Sequence, residues 1–303
     1  MPQDHSHADW APRLHAIAAE RGLHTDLDGA HHALFVEGSG QGGGTLVVNF
    51  ERLDDPRQSL KADMPREMAA TCAGGWSALG ILAHGWTWYR SPAVWDFFDE
   101  LRDEGFFRGF ERVIFRGASS GGYAACAYSS ASPGATVIAF GPQATLDRSV
   151  TKGWEPRFRQ GWACDFTGRY GYAPEEVLAA QDVFLLFDPF VFEDAMHAAL
   201  FDTPNVTRLR LPHLGGDVHQ ALARVGVLTP LLEGLYRGEL DARAIHALLA
   251  QRRHHPFFQK RMLSLLTERG RPARIAQYCA AVLDDSAPTA RPHFAAALEA
   301  ARG

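Results

Sequence analysis

The chain has 303 residues, 46% hydrophobic and 21% charged, ordinary globular usage that excludes a disordered or low-complexity protein. Its net charge of −5 gives no reason to expect nucleic acid as a partner, and no run approaches the roughly 20 apolar residues of a membrane span. The four cysteines, Cys72, Cys126, Cys164 and Cys279, are scattered and form no CxxC pair, which suits reduced thiols rather than a disulfide framework or a zinc site.

Met1–Trp10 is polar and His-rich and carries no signal-peptide pattern, so a cytoplasmic protein is expected. Residues 9–21 have the spacing of an amphipathic helix, with Asp9 placed to cap it. Two β-rich runs follow, Ala33–Gly38 and Thr45–Phe50. The glycine-rich Gly38–Gly44 joins them; it lacks the Lys-Ser/Thr of a P-loop and reads as a plain hairpin connection. From there strand and helix alternate. Leu79–Ala83, Arg112–Arg116, Thr136–Phe140, Val183–Phe187 and Val206–Leu211 are strand-like, several of them nearly continuous apolar runs of the kind parallel strands show when covered on both faces. Ser91 at an N-cap and Pro92 in the first turn predict a helix from there. The expected fold is α/β, a mostly parallel central sheet with helices on both faces and its chemistry at the carboxyl ends of the strands.

Two stretches depart from the alternation. Residues 146–180 are rich in aromatics and arginines, and such an insertion is either a lid over the site, with Trp154, Trp162 and Tyr170 as substrate-facing candidates, or an excursion packed on its own rings. From Leu240 onward helical periodicity takes over, broken near Pro256, Arg271-Pro272 and Pro288. The expected organisation is a domain over 1–238 and a helical extension over 239–303. Between Arg252 and Arg274 this extension carries Arg252, Arg253, Lys260, Arg261, Arg269, Arg271 and Arg274 against one acid, Glu268. Such a surface could meet an acidic protein partner, although a solvated helix face is the commoner meaning.

The most informative segment runs from Arg112 to Ala127. A strand leads into Gly117-Ala-Ser119-Ser-Gly121, and a small-residue helix follows at once. A sharp strand-to-helix turn strains the serine backbone, exposes its hydroxyl, and aims the helix N-terminus at a developing oxyanion. Ser119 has glycines at both −2 and +2, whereas Ser120 would have Ala118 at −2, so spacing favours Ser119 as nucleophile.

A serine hydroxyl near neutral pH needs a histidine base held by a third group. In Leu209–Leu222, His219 sits past Gly215 and Gly216 at a helix start, and His213 at the strand end competes with it. For the acid, the loop after Val183–Phe187 offers Asp188 and Asp194. Asp194 is favoured because a longer loop better spans the distance to His219, and its alternative role is to cap a helix. Oxyanion donors are expected from the N–H of Ser120 and from the main chain near Phe50 and Glu51. His84 reads as a core or rim residue. His254, His255, His31, His32, His5 and His7 lack carboxylates at metal-ligand spacing and read as surface residues; no metal and no cofactor are expected.

In motif order, serine then aspartate then histidine, residues from about Gly44 to Leu235 resemble the α/β-hydrolase superfamily. More narrowly, Trp88-Tyr89-Arg-Ser91-Pro92, the Ser-x-Gly-Gly-Tyr elbow and Phe140-Gly-Pro142-Gln143 resemble bacterial hydrolase-like proteins associated with surface polysaccharide biosynthesis, which tend to carry Met where this chain has Ser120. The resemblance implies a serine esterase or acyl hydrolase acting through an acyl-serine, with a small-molecule or glycan-linked ester as substrate. The other readings are an acyltransferase in polysaccharide biosynthesis and a catalytically silent scaffold on the same fold.

Overall fold

The computed structural model describes residues 7–39, 42, 44–56, 58, 64–284 and 291–302. The chain forms two compact units, 1–219 and 220–303, so the second begins about twenty residues before the point where the sequence pattern turns wholly helical.

In the first unit eight strands form one sheet in the order β1-β2-β4-β3-β5-β6-β7-β8. They are β1 (Gly22–Asp26), β2 (His31–Val36), β3 (Thr45–Arg52), β4 (Ser77–Ala83), β5 (Arg112–Ala118), β6 (Thr136–Phe140), β7 (Asp182–Phe187) and β8 (Val206–Arg210). Strands β3 to β8 run parallel to one another, while β2 pairs antiparallel with both β1 and β4. The glycine-rich connection therefore does not close a hairpin: β4 lies between β2 and β3, and part of that connection falls outside the described residues. Strand β1 leaves alternate residues exposed, too weak an apolar signal to read from sequence. The amphipathic helix α1 (His7–Arg21) already includes Asp9, which is thus inside the helix rather than its cap.

Side-chain alternation divides the sheet into two faces. Leu46, Val48, Phe50, Val113 and Phe115 point into the larger core, beneath α3 (Pro92–Asp103) and α4 (Ser120–Ala127). The opposite face takes Val47, Asn49 and Glu51 of β3 and Ile114 and Arg116 of β5 by parity, and α2 (Arg66–Ala73) joins it through Met68. Asn49 and Arg116 are register partners across β3 and β5. One buried arginine and two polar β3 residues thus converge near the carboxyl ends of the strands.

Helix α3 begins at Pro92 as the sequence predicts, but the Ser91 hydroxyl donates to Asp28 Oδ2 at 2.5 Å instead of capping it. The 146–180 segment contains two single α-helical turns, α5 (Arg148–Thr151) and α6 (Ala173–Glu176); of its aromatics Phe166 and Tyr170 are buried, and Trp154, Phe158, Trp162 and Tyr172 are half-buried. Phe166 meets Tyr123 with ring centroids 5.3 Å apart, and Tyr170 meets Tyr128 at 4.7 Å. His31 and His32 are buried, against expectation. His31 bridges Asp28 and Thr87, at 2.9 Å and 2.8 Å, and His32 packs between His24 and His84. Their polar atoms are satisfied within the fold, which is what permits burial. His5 lies outside the described residues.

Along the chain α7 (Phe192–Leu200) precedes β8 and α8 (Val218–Arg224) follows it, and the second unit opens within α8. It continues with α9 (Leu228–Arg237), α10 (Ala242–Ala250), α11 (Pro256–Glu268), α12 (Pro272–Asp284) and α13 (Pro292–Arg302). Asp241 caps α10 by accepting from the Ala244 N–H at 2.7 Å, and Pro256 and Pro272 open their helices where a missing N–H costs nothing. Cys279, Val282 and Phe294 form a small core between α12 and α13. Of the basic residues in this unit, Arg252 is buried rather than presented to solvent. The expected break near Pro288 falls outside the described residues. No helix among the described residues is long and apolar enough to cross a membrane, and no group of metal-ligating side chains occurs among them.

Candidate active site

Strand β5 ends at Ala118 and α4 starts at Ser120, leaving Ser119 to make the whole turn. It does so with φ 53° and ψ −120°, a left-handed conformation that costs a residue with a Cβ about 1–3 kcal/mol. The turn is fixed on both sides. Ser119 donates its N–H to Phe140 O on β6 at 2.9 Å, and its carbonyl accepts from Tyr123 N. The glycines are steric requirements: a Cβ on Gly117 would lie 2.1 Å from Gly121 O, and one on Gly121 would lie 2.5 Å from Phe50 O. Strain held by such close backbone packing is the mark of an imposed side-chain orientation.

Ser119 opens onto a cleft of about 690 Å³, counting its open mouth. Ser120, Phe50, Glu51 and His219 also line it. His213 does not. It takes a left-handed φ of 67°, and its ring stacks on exposed Phe190 with centroids 4.4 Å apart. The cleft's aromatic lining is Phe50 of β3 with Trp86 and Tyr89 from the loop after β4; Trp154, Trp162 and Tyr170 contribute none of the lining. Arg52 lies over the Trp86 ring, 3.7 Å from its centroid.

His219, in the first turn of α8, packs edge-on against Phe140 at 4.9 Å. Its Nε2 is 3.2 Å from Arg116 Nη2 and 3.7 Å from Glu67 Oε2. Arg116 forms an ion pair with Glu67 Oε2, and Arg66 donates to Glu67 Oε1 through Nε at 3.0 Å and Nη2 at 2.7 Å. Burial lowers the His219 pKa to about 4; Glu67 opposes that shift, and Arg116 and Arg66 add to it. Glu67 is itself disfavoured by burial, yet Arg116, His219 and Arg66 outweigh this and hold it at about 2. Glu51 is fully buried and accepts from the Glu67 N–H, the Met68 N–H and Gln58 Nε2, each at 2.9 Å. Burial and the neighbouring Glu67 push it up to about 7.

Neither aspartate after β7 meets His219 in this arrangement. Asp188 is buried and accepts from the Phe190 N–H at 2.9 Å and the Gly215 N–H at 2.7 Å, which ties down the loop that leads to His219. Asp194 Oδ1 accepts from Arg157 Nη1 at 2.7 Å, and Arg157 also binds Glu155, which receives His197 Nε2 at 3.1 Å. Asp194 Oδ2 is buried without a hydrogen-bond partner among the described residues. Glu67 is thus the carboxylate beside His219, and sequence reading missed it along with Arg116. A signal for Arg116 existed: it is the one charge inside the otherwise apolar run Val113–Gly117. Glu67 had only its place near the start of a short helix.

The strand order, the antiparallel β2 and the strained serine between β5 and α4 define an α/β-hydrolase-like fold. No family model matches the sequence, and no curated protein matches it. Among solved structures the chain is similar to the capsule O-acetyltransferase of Neisseria meningitidis serogroup A, with 11% identity over 68% of this chain and 93% of that one and a TM-score of 0.42. It is similar to the acylaminoacyl peptidase of Pyrococcus horikoshii at 10% identity, covering 73% of this chain but only 42% of that one, with a TM-score of 0.48. It is also similar to EstE1, a thermostable carboxylesterase cloned from a metagenomic library, at 12% identity over 80% of this chain and 98% of that one, again with a TM-score of 0.48.

Proposed function

We propose that the protein is a serine acyl hydrolase or acyltransferase working through an acyl-Ser119 intermediate. The observation that carries this reading is the strained Ser119 turn, φ 53°, opening onto a cleft that His219 also lines. In the first half-reaction Ser119 Oγ attacks the acyl carbonyl and its proton passes to His219 Nε2. The tetrahedral intermediate collapses, the bond to the leaving alcohol breaks, and that proton goes to the leaving oxygen. Water, or a hydroxyl of an acceptor molecule, then enters by the same route and regenerates Ser119. The Ser120 N–H at the start of α4, and a main-chain N–H near Phe50 or Glu51, would meet the oxyanion. Arg116, Arg66, Arg52 and Trp86 around the cleft suit a polar and bulky ester, such as an acyl group on a glycan.

A silent scaffold is the second reading, favoured by the Arg116 contact on His219 Nε2. Labelling by a fluorophosphonate, read by intact mass and peptide mapping, separates the two. Modification of Ser119, lost in Ser119→Ala, is the expected result; a folded protein that stays unlabelled both as wild type and as Arg116→Gln, where the contact on His219 is removed, is a scaffold.

A further inference from the structure

Arg116 occupies the nitrogen that the acyl-serine reading needs. Its side chain is 4% exposed, and its Nη2 meets both Glu67 and His219 Nε2. A guanidinium stays protonated and has no lone pair to offer, so here it is the donor and Nε2 the acceptor. A neutral imidazole has one acceptor nitrogen. With Nε2 engaged, the proton of Ser119 has no base to go to, and no hydrogen bond joins the Ser119 hydroxyl to a described residue.

Release of Arg116 requires something to receive it. Turned towards an apolar substrate group, the guanidinium would be a buried cation without a counter-charge. A carboxylate or phosphate would take it up, and the planar fork of arginine matches either anion with two parallel hydrogen bonds. Glu67 would not be stranded by the exchange, since Arg66 already holds its other oxygen at 2.7 Å and 3.0 Å. Arg66 and Arg52 line the same cleft, so an anion brought to Arg116 passes other cations on the way.

We propose that Arg116 is the substrate-reading residue of this site: an anionic group carried beside the acyl ester draws its guanidinium away from His219 and thereby frees Nε2 for Ser119. The substrate class is then an anionic acyl ester, and a neutral ester meets a base that is still occupied. This inference rests on the acyl-serine reading.

The test uses matched acetate esters on the full chain: 4-acetoxybenzoate, 4-acetoxyphenyl phosphate, and the neutral methyl 4-acetoxybenzoate. Wild-type protein should favour one or both anionic esters by about tenfold or more in kcat/KM, and the two anions compared with each other tell carboxylate from phosphate. Arg116→Gln should bring the anionic-to-neutral ratio near one and speed fluorophosphonate labelling of Ser119. If melting shows Arg116→Gln unfolded, Arg116→Lys is read instead; it keeps the charge without the fork, and the anionic preference should drop several-fold. A binding measurement is independent of turnover: in histidine-labelled protein, benzoate or inorganic phosphate should shift the His219 Nε2 nitrogen resonance, and should not do so in the Arg116 variant. Equal turnover of charged and neutral esters by wild type, or a preference that survives in the folded variant, overturns the role of Arg116 and leaves the acyl-serine reading standing. Absence of turnover and of labelling in both proteins removes the acyl-serine reading, and this inference with it.

Discussion

Glu51 and Glu67 meet at the start of α2, where Glu51 Oε2 accepts the Glu67 backbone N–H at 2.9 Å while the Glu67 carboxylate turns to Arg116 and Arg66. Two acids that both line Ser119's cleft are thereby set at opposite ends of the carboxylate range: arginines hold one ionised, and burial beside that charge makes the other reluctant to ionise. The pair does what neither acid would do alone.

Glu51 has a consequence for stability. Its pKa is raised from 4.5 to about 7 on folding, so the folded state binds its proton more tightly. The stabilisation is full below pH 4.5 and is lost as pH rises towards 7. Glu51→Gln stays neutral throughout, at a pH-independent cost from setting an amide N–H against the α2 donors. Relative to wild type the variant should therefore gain stability between these pH values, by on the order of 1–3 kcal/mol. Urea denaturation at several pH values measures it; a constant difference would show Glu51 titrating in its ordinary range.

His219 predicts the acid limb of Ser119 chemistry. Burial is the main cause that brings its pKa to about 4, with Glu67 opposing, so the neutral form able to accept a proton dominates above that pH. Fluorophosphonate labelling of Ser119 should stay level from neutral pH down to about 5 and fall only near 4. Folding carries the opposite sign from Glu51: the contribution of His219 is present above 6.5 and is lost as pH falls towards 4. A labelling limb centred near 6.5 would mean that His219 is not the base or is not buried.

The elbow glycines make a steric prediction. In Gly121→Ala the new Cβ would sit 2.5 Å from the carbonyl oxygen of Phe50, a main-chain atom that β3 holds in place. Relief requires β3 and α4 to separate, at about 1–3 kcal/mol, with the Ser119 turn displaced. Thermal melts should show the lower stability, and labelling should slow by more than the folded fraction explains. A variant with wild-type melting and labelling would contradict this packing.

The parallel strands and the elbow were readable because their signals are local. Thr136–Phe140 is continuous and apolar, and the Gly117–Gly121 spacing carries its own steric reason. The hairpin expectation failed because pairing is decided by which strands share a core, and β4 inserts between two runs that adjoin in sequence. The surroundings of His219 were hidden for the same reason. Glu67, Arg116 and His219 come from α2, β5 and α8, and only the register of β3 with β5 and the cover of α2 bring them within 4 Å. Spacing along the chain favoured Asp194, whose Oδ1 is taken by Arg157.

Asp188 gives the last prediction. Its Oδ2 holds the Gly215 N–H at 2.7 Å, and its Oδ1 holds Phe190 N at 2.9 Å, both with the side chain buried. Gly215 has φ 84° and stands four residues before His219, so this bond fixes where the loop delivers the histidine. Asp188→Ala leaves the Gly215 N–H without its acceptor, a loss of about 1–3 kcal/mol. Labelling of Ser119 should fall with it, because His219 is no longer held over Phe140. Asp188→Asn keeps one acceptor oxygen and should recover part of both losses. The pH profile separates this positioning role from a direct one. If Asp188 acts only through the loop, the acid limb stays near 4 in whichever variant still labels, whereas a carboxylate acting on the imidazole itself would, when removed, move that limb further down.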